Sequence, residues 1–173
     1  HPNSRRQRQM CIRDRVKESQ NLKNYDFIIL PGSKQTIKDQ IFLENSGLSQ
    51  EIREYSNSHG NIIGICGGLQ MLGISLEDPY SKEGPKIYSQ QKTKGIGLLP
   101  LKTTFFEKKL TRQINSESLW PCQSKICGFE IHNGHTELDN SHNSLKINPI
   151  FKDLNLGWYR ENKGGGTIAG TYL

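Results

Sequence analysis

The sequence predicts an α/β protein with a mostly parallel central sheet, flanking helices and an antiparallel extension, and three observations carry that prediction. Residues 26–30 form a short apolar run, Asp26-Phe27-Ile28-Ile29-Leu30, ended by Pro31-Gly32; this suits a fully buried strand of a parallel sheet followed by a turn. Residues 61–65 are rich in β-branched side chains and run into Cys66-Gly67-Gly68, after which the spacing of Leu69, Met71, Leu72 and Ile74 suits a short helix. Between the two runs lie helical stretches, so the unit is strand, helix, strand, sharp turn, helix, with a right-handed parallel crossover expected.

In chain order, Ser33 and Thr36 are candidate caps for a helix carrying Ile37, Ile41, Phe42 and Leu43. Asp39, three residues beyond Thr36, completes an approximate capping box, and Gly47 stops the helix. A second helical stretch from Leu48 through Ile52 and Tyr55 is closed by the breaker at residues 56–60. Beyond Ile74 the helical periodicity fades. Glu77-Asp78-Pro79 and Glu83-Gly84-Pro85 mark loops, and residues 95–101, 103–106, 128–133, 145–147 and 167–172 read as short strands. Several of these should extend or flank the sheet in antiparallel fashion, with Gly164-Gly165-Gly166 as a turn before the last.

The 173 residues suffice for one well-buried domain. The formal charge of +6 is unevenly spread: residues 1–23 hold seven Lys/Arg against Asp14 and Glu18, and so carry +5 of it. The remainder is close to neutral and no aromatic residue is interleaved with the basic run, so no nucleic-acid partner is expected. No apolar run approaches the roughly 20 residues of a membrane helix and the leader lacks a secretory h-region, which points to a cytoplasmic protein without a membrane partner. Four cysteines, Cys11, Cys66, Cys122 and Cys127, fit a reducing compartment better than a disulfide scaffold. The start at His1-Pro2 and the patternless Arg/Gln run mark residues 1–23 as a disordered or foreign leader, leaving residues 24–173 as the domain.

Cys66 is the candidate nucleophile. A nucleophile on a strained strand-to-helix turn needs small neighbours, which Gly64, Gly67 and Gly68 supply. At the start of a helix its thiolate faces the positive end of the macrodipole, which favours ionisation, and Gly67 N–H is a donor for an oxyanion. The N–H groups of Gly32 and Ser33 follow the other apolar strand, at the carboxyl end where open α/β sheets bind ligands. The same glycines also suit a small cysteine buried in a tight helix–strand contact, and that reading stays open. The sequence contains no G-x-x-x-x-G-K-[ST] phosphate loop, so no nucleotide cofactor is expected in this chain. Cys122-x4-Cys127 and His132-x2-His135 offer four ligand-type residues, but neither spacing is that of a compact zinc site, so no metal is expected. A cysteine nucleophile also needs a base. His1 lies in the leader, His59 before the cysteine strand and His142 in a polar loop, leaving His132 and His135, each of which also reads as an ordinary surface histidine.

Several segments together resemble the glutamine amidotransferase domain of the cobyric acid synthases, over residues 25–173. They are Pro31-Gly32-Ser33-Lys34-x-Thr36, the elbow from Gly64 to Gly73, Asp78-Pro79, Gly95-Ile96-Gly97-Leu98-Leu99-Pro100, the stretch from Thr103 through Phe105 and Lys109 to Gln113, Gly128-Phe129-Glu130-Ile131-His132-x-Gly134-x-Thr136, and Gly170-Thr171-Tyr172-Leu173. The resemblance implies a class I, triad-type, flavodoxin-like fold in which Cys66 attacks the side-chain amide of glutamine, giving a glutamyl thioester and ammonia. It places an oxyanion hole at Gly32 or Ser33 with Gly67, and sets Gln70, Glu130 and His132 near the glutamine pocket. It also implies an ATP-dependent synthetase domain ahead of this one, holding ATP, Mg and the corrinoid acceptor, adenosylcobyrinic acid a,c-diamide; that domain is not in this sequence. Leu69 replaces the more usual tyrosine of the elbow, and Asn133 and His135 also depart from the pattern, changes that bear on packing or pocket shape. The family's catalytic histidine directly follows the G-T-Y-L run, where this sequence ends, so a fragment with little or no glutaminase activity is expected. Two other readings remain open: an amidase serving another acceptor, and a catalytically silent module that binds glutamine.

Overall fold

A computed structural model describes residues 13–83, 92–139, 141, 145–162 and 165–173. Among these residues the main sheet has the order β1-β2-β11-β10-β9, formed by β1 (Phe27–Leu30), β2 (Asn61–Ile65), β11 (Thr167–Thr171), β10 (Gly157–Glu161) and β9 (Asn148–Pro149). β1, β2 and β11 run parallel, whereas β10 and β9 continue the sheet antiparallel. The predicted parallel centre with an antiparallel extension is therefore present. The crossover from β1 to β2 carries α1 (Thr36–Asn45) and α2 (Leu48–Asn57), and α2 buries Leu48, Ile52 and Tyr55 on one helical face.

A second sheet, β4-β3-β5-β8, is built from β3 (Ser75–Glu77), β4 (Lys92–Lys94), β5 (Leu101–Thr104) and β8 (His135–Leu138). β6 (Leu110–Ser118) and β7 (Ser124–His132) form a long antiparallel ribbon. Its inner residues Ile114 and Ile126 pack with Phe151, Leu156 and Ala169 in a satellite core, while the main core gathers around Ile37, Ile62, Leu69 and Ile168. No helix among the described residues is long and apolar enough to cross a membrane.

Four expectations are corrected here. β1 is an edge strand and not fully buried: Ile28 and Leu30 face the core, but Phe27 and Ile29 are about half exposed on the opposite face. The segment 95–100 is not a strand. Its N–H groups at Ile96, Gly97, Leu98 and Leu99 bond to the carbonyls of Met71, Gly73 and Leu72, at the end of α3 (Gly67–Leu72), and so satisfy carbonyls that a helix leaves free. Thr36 does not cap α1, because it is the first residue of the helix and its N–H donates to the Glu83 carboxylate from a distant loop; it is Ser33 whose hydroxyl donates to Asp39. Finally, the leader boundary at residue 23 falls too late, since Leu22 is buried in the main core and Val16 packs against it. His1, Cys11 and His142 lie outside the described residues.

Candidate active site

The site is organised by the contact of α3 with the sheet. A Cβ added to Gly68 would lie 2.0 Å from Leu30 O, and one on Gly64 would lie 2.5 Å from the Gly68 carbonyl carbon. A Cβ on Gly170, opposite Gly64 in register, would lie 2.3 Å from Leu69 Cδ1. Only backbone without side chains permits so close an approach, and it brings the start of α3 to the carboxyl ends of β1, β2 and β11.

Cys66 joins β2 to α3 with φ 51° and ψ −108°, a conformation that side chains other than glycine rarely take. Two bonds hold it: its N–H donates to Thr171 O at 2.8 Å, and its carbonyl accepts from Gln70 N–H at 3.2 Å. Ser33 N lies 2.9 Å from where a Gly67 Cβ would stand, and Cys66 Cβ lies 3.8 Å from the corresponding point on Gly32. Gly32, Ser33, Gly67 and Cys66 are thus neighbours, although they come from two separate strand ends.

The thiol is half-buried and its Sγ–H donates to Ile131 O at 3.6 Å. Burial pushes its pKa above the usual thiol value; Gly67 N–H opposes this, the Glu83 charge adds to it, and Lys109 opposes it. The expected easing of ionisation by the helix start is therefore outweighed. A helix of six residues offers a small dipole, and desolvation of the thiolate exceeds it.

Gln70 is almost fully buried and fully engaged: Nε2 donates to Asn133 O at 2.8 Å and to Tyr172 Oη at 3.2 Å, and Oε1 accepts from Thr36 Oγ1 at 3.4 Å. Glu130 and His132 are also buried, on the inner face of β7. Glu130 takes the Arg112 guanidinium on one oxygen, and its other oxygen lies 2.9 Å from His132 Nε2. His132 Nδ1 lies 3.3 Å from Asn133 O, and the ring stacks on Tyr172 at 3.7 Å between centroids. The Tyr172 hydroxyl meets Thr136 Oγ1, which meets Thr103 Oγ1 at 2.7 Å; burial holds the phenol pKa well above its ordinary value, so the hydroxyl stays protonated. His135 is exposed at the start of β8, and His59 sits before β2 at the other end of the strand from Cys66. Among the described residues no imidazole is hydrogen-bonded to Cys66 Sγ.

Sequence reasoning missed Glu83, Arg112, Tyr172 and the bonds by which Asn133 joins Gln70 to Glu83. Arg112 stands opposite Glu130 in the ribbon register, so a pairing argument across β6 and β7 would have found it. Glu83 gave no signal, because its loop carries no periodicity.

A half-buried cysteine on a strained strand-to-helix turn, with backbone amides gathered beside it at the carboxyl edge of a parallel sheet, defines an α/β protein of the nucleophile-elbow class. Solved structures agree on the fold. One glutamine amidotransferase superposes with TM-score 0.60 at 14% identity, over 91% of this chain and 74% of that one. PurLQS from Thermotoga maritima superposes with TM-score 0.59 at 17% identity, over 90% of this chain and 71% of that one. Residues 5–173 match the CobB/CobQ-like glutamine amidotransferase domain, and the chain belongs to that family. The cobyric acid synthase of Prochlorococcus marinus strain MIT 9312 is 80% identical over 158 residues, 91% of this chain. This chain spans 31% of that relative's length.

Proposed function

We propose that the chain is the glutaminase part of a cobyric acid synthase. Cys66 sulfur attacks the side-chain carbonyl carbon of glutamine, the oxyanion is held by Gly67 N–H with Ser33 or Gly32 N–H, the C–N bond breaks, and the nitrogen leaves as ammonia after taking up a proton. Water then attacks the thioester, which releases glutamate and returns the thiol. The observation that carries this reading is the proximity of Ser33 N and Gly67 to the elbow cysteine. Gln70, Glu130 and His132 shape the glutamine pocket: Glu130 and His132 are bonded to each other, and Gln70 is tied to them through Tyr172, whose hydroxyl it meets and whose ring stacks on His132.

The ammonia serves an ATP-dependent synthetase portion of the longer protein, which holds ATP and Mg and activates the carboxylates of adenosylcobyrinic acid a,c-diamide. The length of the relatives supports such a partner. A cytoplasmic location fits this biosynthetic role.

Both His132 ring nitrogens face acceptors other than Cys66, and the thiol faces a carbonyl. Among the described residues no base is placed against Cys66 Sγ, and on this reading slow glutamine turnover is expected. The same observation favours a second reading, a module that binds glutamine without hydrolysing it. Intact-mass analysis after incubation with glutamine tests the proposal: a glutamyl adduct that disappears in Cys66→Ser supports catalysis. Protection of Cys66 from iodoacetamide without an adduct selects the silent module, and neither adduct nor protection rejects both.

A further inference from the structure

We propose that Glu83 recognises the α-ammonium group of the bound amino acid, an inference that rests on the reading of the substrate as glutamine. Two other buried carboxylates have a cation: Arg112 meets Glu130, and Lys102 meets Asp139. Glu83 is 6% exposed, yet its contacts are neutral, with Oε2 accepting Thr36 N–H at 3.2 Å and Oε1 accepting Asn133 Nδ2 at 2.7 Å. Among the described residues it has no ion pair. A buried anion held only by dipoles is costly, and a primary ammonium, with one charge and three donors, supplies what is missing.

Its placement fits the role. Thr36 begins α1, and its Oγ1 lies 3.1 Å from where a Gly67 Cβ would stand. Asn133 follows the pair formed by Ile131, whose carbonyl meets Cys66 Sγ, and His132, and the Asn133 carbonyl holds Gln70. Glu83 therefore bridges two segments that border the nucleophile, and its negative charge reaches the thiol. The Glu83 carboxylate opposes thiolate formation while its partners are only neutral donors, and an ammonium brought by the substrate neutralises it when the thiol must ionise.

The test compares two electrophiles in the full chain. One is an L-glutamine analogue with a diazoketone in place of the carboxamide; the other is the same molecule without the α-amino group. Their ratio of Cys66 labelling rates is measured within each protein, so general weakening of the fold does not by itself change it. The unsubstituted chain is expected to prefer the amino-bearing analogue by roughly ten- to a hundredfold, the range of one charge-assisted hydrogen bond. Glu83→Gln should bring the ratio close to one while iodoacetamide still reaches Cys66, and Glu83→Asp should keep part of the preference. If Glu83→Gln fails to fold, a severalfold drop in Glu83→Asp is the supporting result and an unchanged ratio overturns the proposal. A preference retained in a folded Glu83→Gln overturns it while leaving glutamine as substrate. No labelling by either analogue, and no protection by glutamine in the unsubstituted chain, overturns both this assignment and the glutaminase reading.

Discussion

Replacing Gly68 with alanine tests the packing that presents Cys66 on its strained turn. The new Cβ would lie 2.0 Å from Leu30 O, 2.7 Å from Leu30 C and 3.0 Å from Leu30 Cβ, where ordinary contact begins at 3.4 Å. Two of those atoms are backbone of β1, so no rotamer change relieves the overlap. α3 must instead lift from the sheet by about 1 Å, and Cys66 moves with it. Overpacking of this kind costs about 3 kcal/mol at the upper end of its range. Alanine returns up to about 1 kcal/mol as a better helix former than glycine. The net loss of about 2 kcal/mol corresponds to a fall in Tm of roughly 4–8 °C for a domain of this length. Gly32→Ala is the control, because its Cβ would meet Cys66 Cβ and Ile65 O at 3.8 Å, ordinary contact beside the same cysteine. Thermal unfolding followed by circular dichroism, with iodoacetamide alkylation of Cys66 as a second readout, separates the two. A Gly68→Ala chain that melts and reacts like Gly32→Ala would refute the reasoning.

The alkylation rate of Cys66 should rise at higher pH than that of a cysteine in an unstructured peptide, because burial first and Glu83 next oppose the thiolate; a profile at or below the peptide's would contradict this. His132→Ala should cost roughly 1–3 kcal/mol through the partner lost by buried Glu130, and about 0.5–1.5 kcal/mol more for the Tyr172 stack; urea denaturation would show it, and an unchanged midpoint would remove the pair from the list of supports. Asp139 is held below the usual carboxylate range by hydrogen bonds from Ser141 first and by Lys102. A depressed native pKa gives stability that is present above the unfolded value and lost as the pH falls through the folded one, so Asp139→Asn should be less stable than the parent at pH 7, and the gap should begin to shrink below about pH 4. A gap that is constant from pH 7 to pH 3 would contradict that assignment.

What was legible in the sequence was local. The elbow could be read because glycines at 64, 67 and 68 are required by contacts made within a few residues of Cys66 and with the adjacent β1. The crossover helices could be read because Leu48, Ile52 and Tyr55 keep helical spacing. What failed depended on distant partners. β10 carries Gly157-Trp158-Tyr159-Arg160-Glu161 without clear alternation, and its pairing with β11 decides its conformation. Residues 95–100 are apolar enough for a strand, but the free carbonyls of α3 claim their N–H groups. Thr36 has the local chemistry of a cap, and a carboxylate 47 residues away displaced that role. The thiol's acidity was misjudged for the same reason: the helix start is visible in the sequence, while the burial that overrides it arises only when Ile131 and Glu83 are brought in.

The central claim, that Cys66 is a nucleophile set in a glutamine pocket, is tested most directly by peptide mapping after labelling with the diazoketone analogue of L-glutamine. Cys122 and Cys127 are exposed free thiols and Cys66 is half-buried, so simple accessibility and substrate-directed reaction predict opposite patterns. The account predicts label on Cys66 alone, suppressed by excess L-glutamine. Label on Cys122 and Cys127 with Cys66 unmodified, unaffected by glutamine, would contradict it.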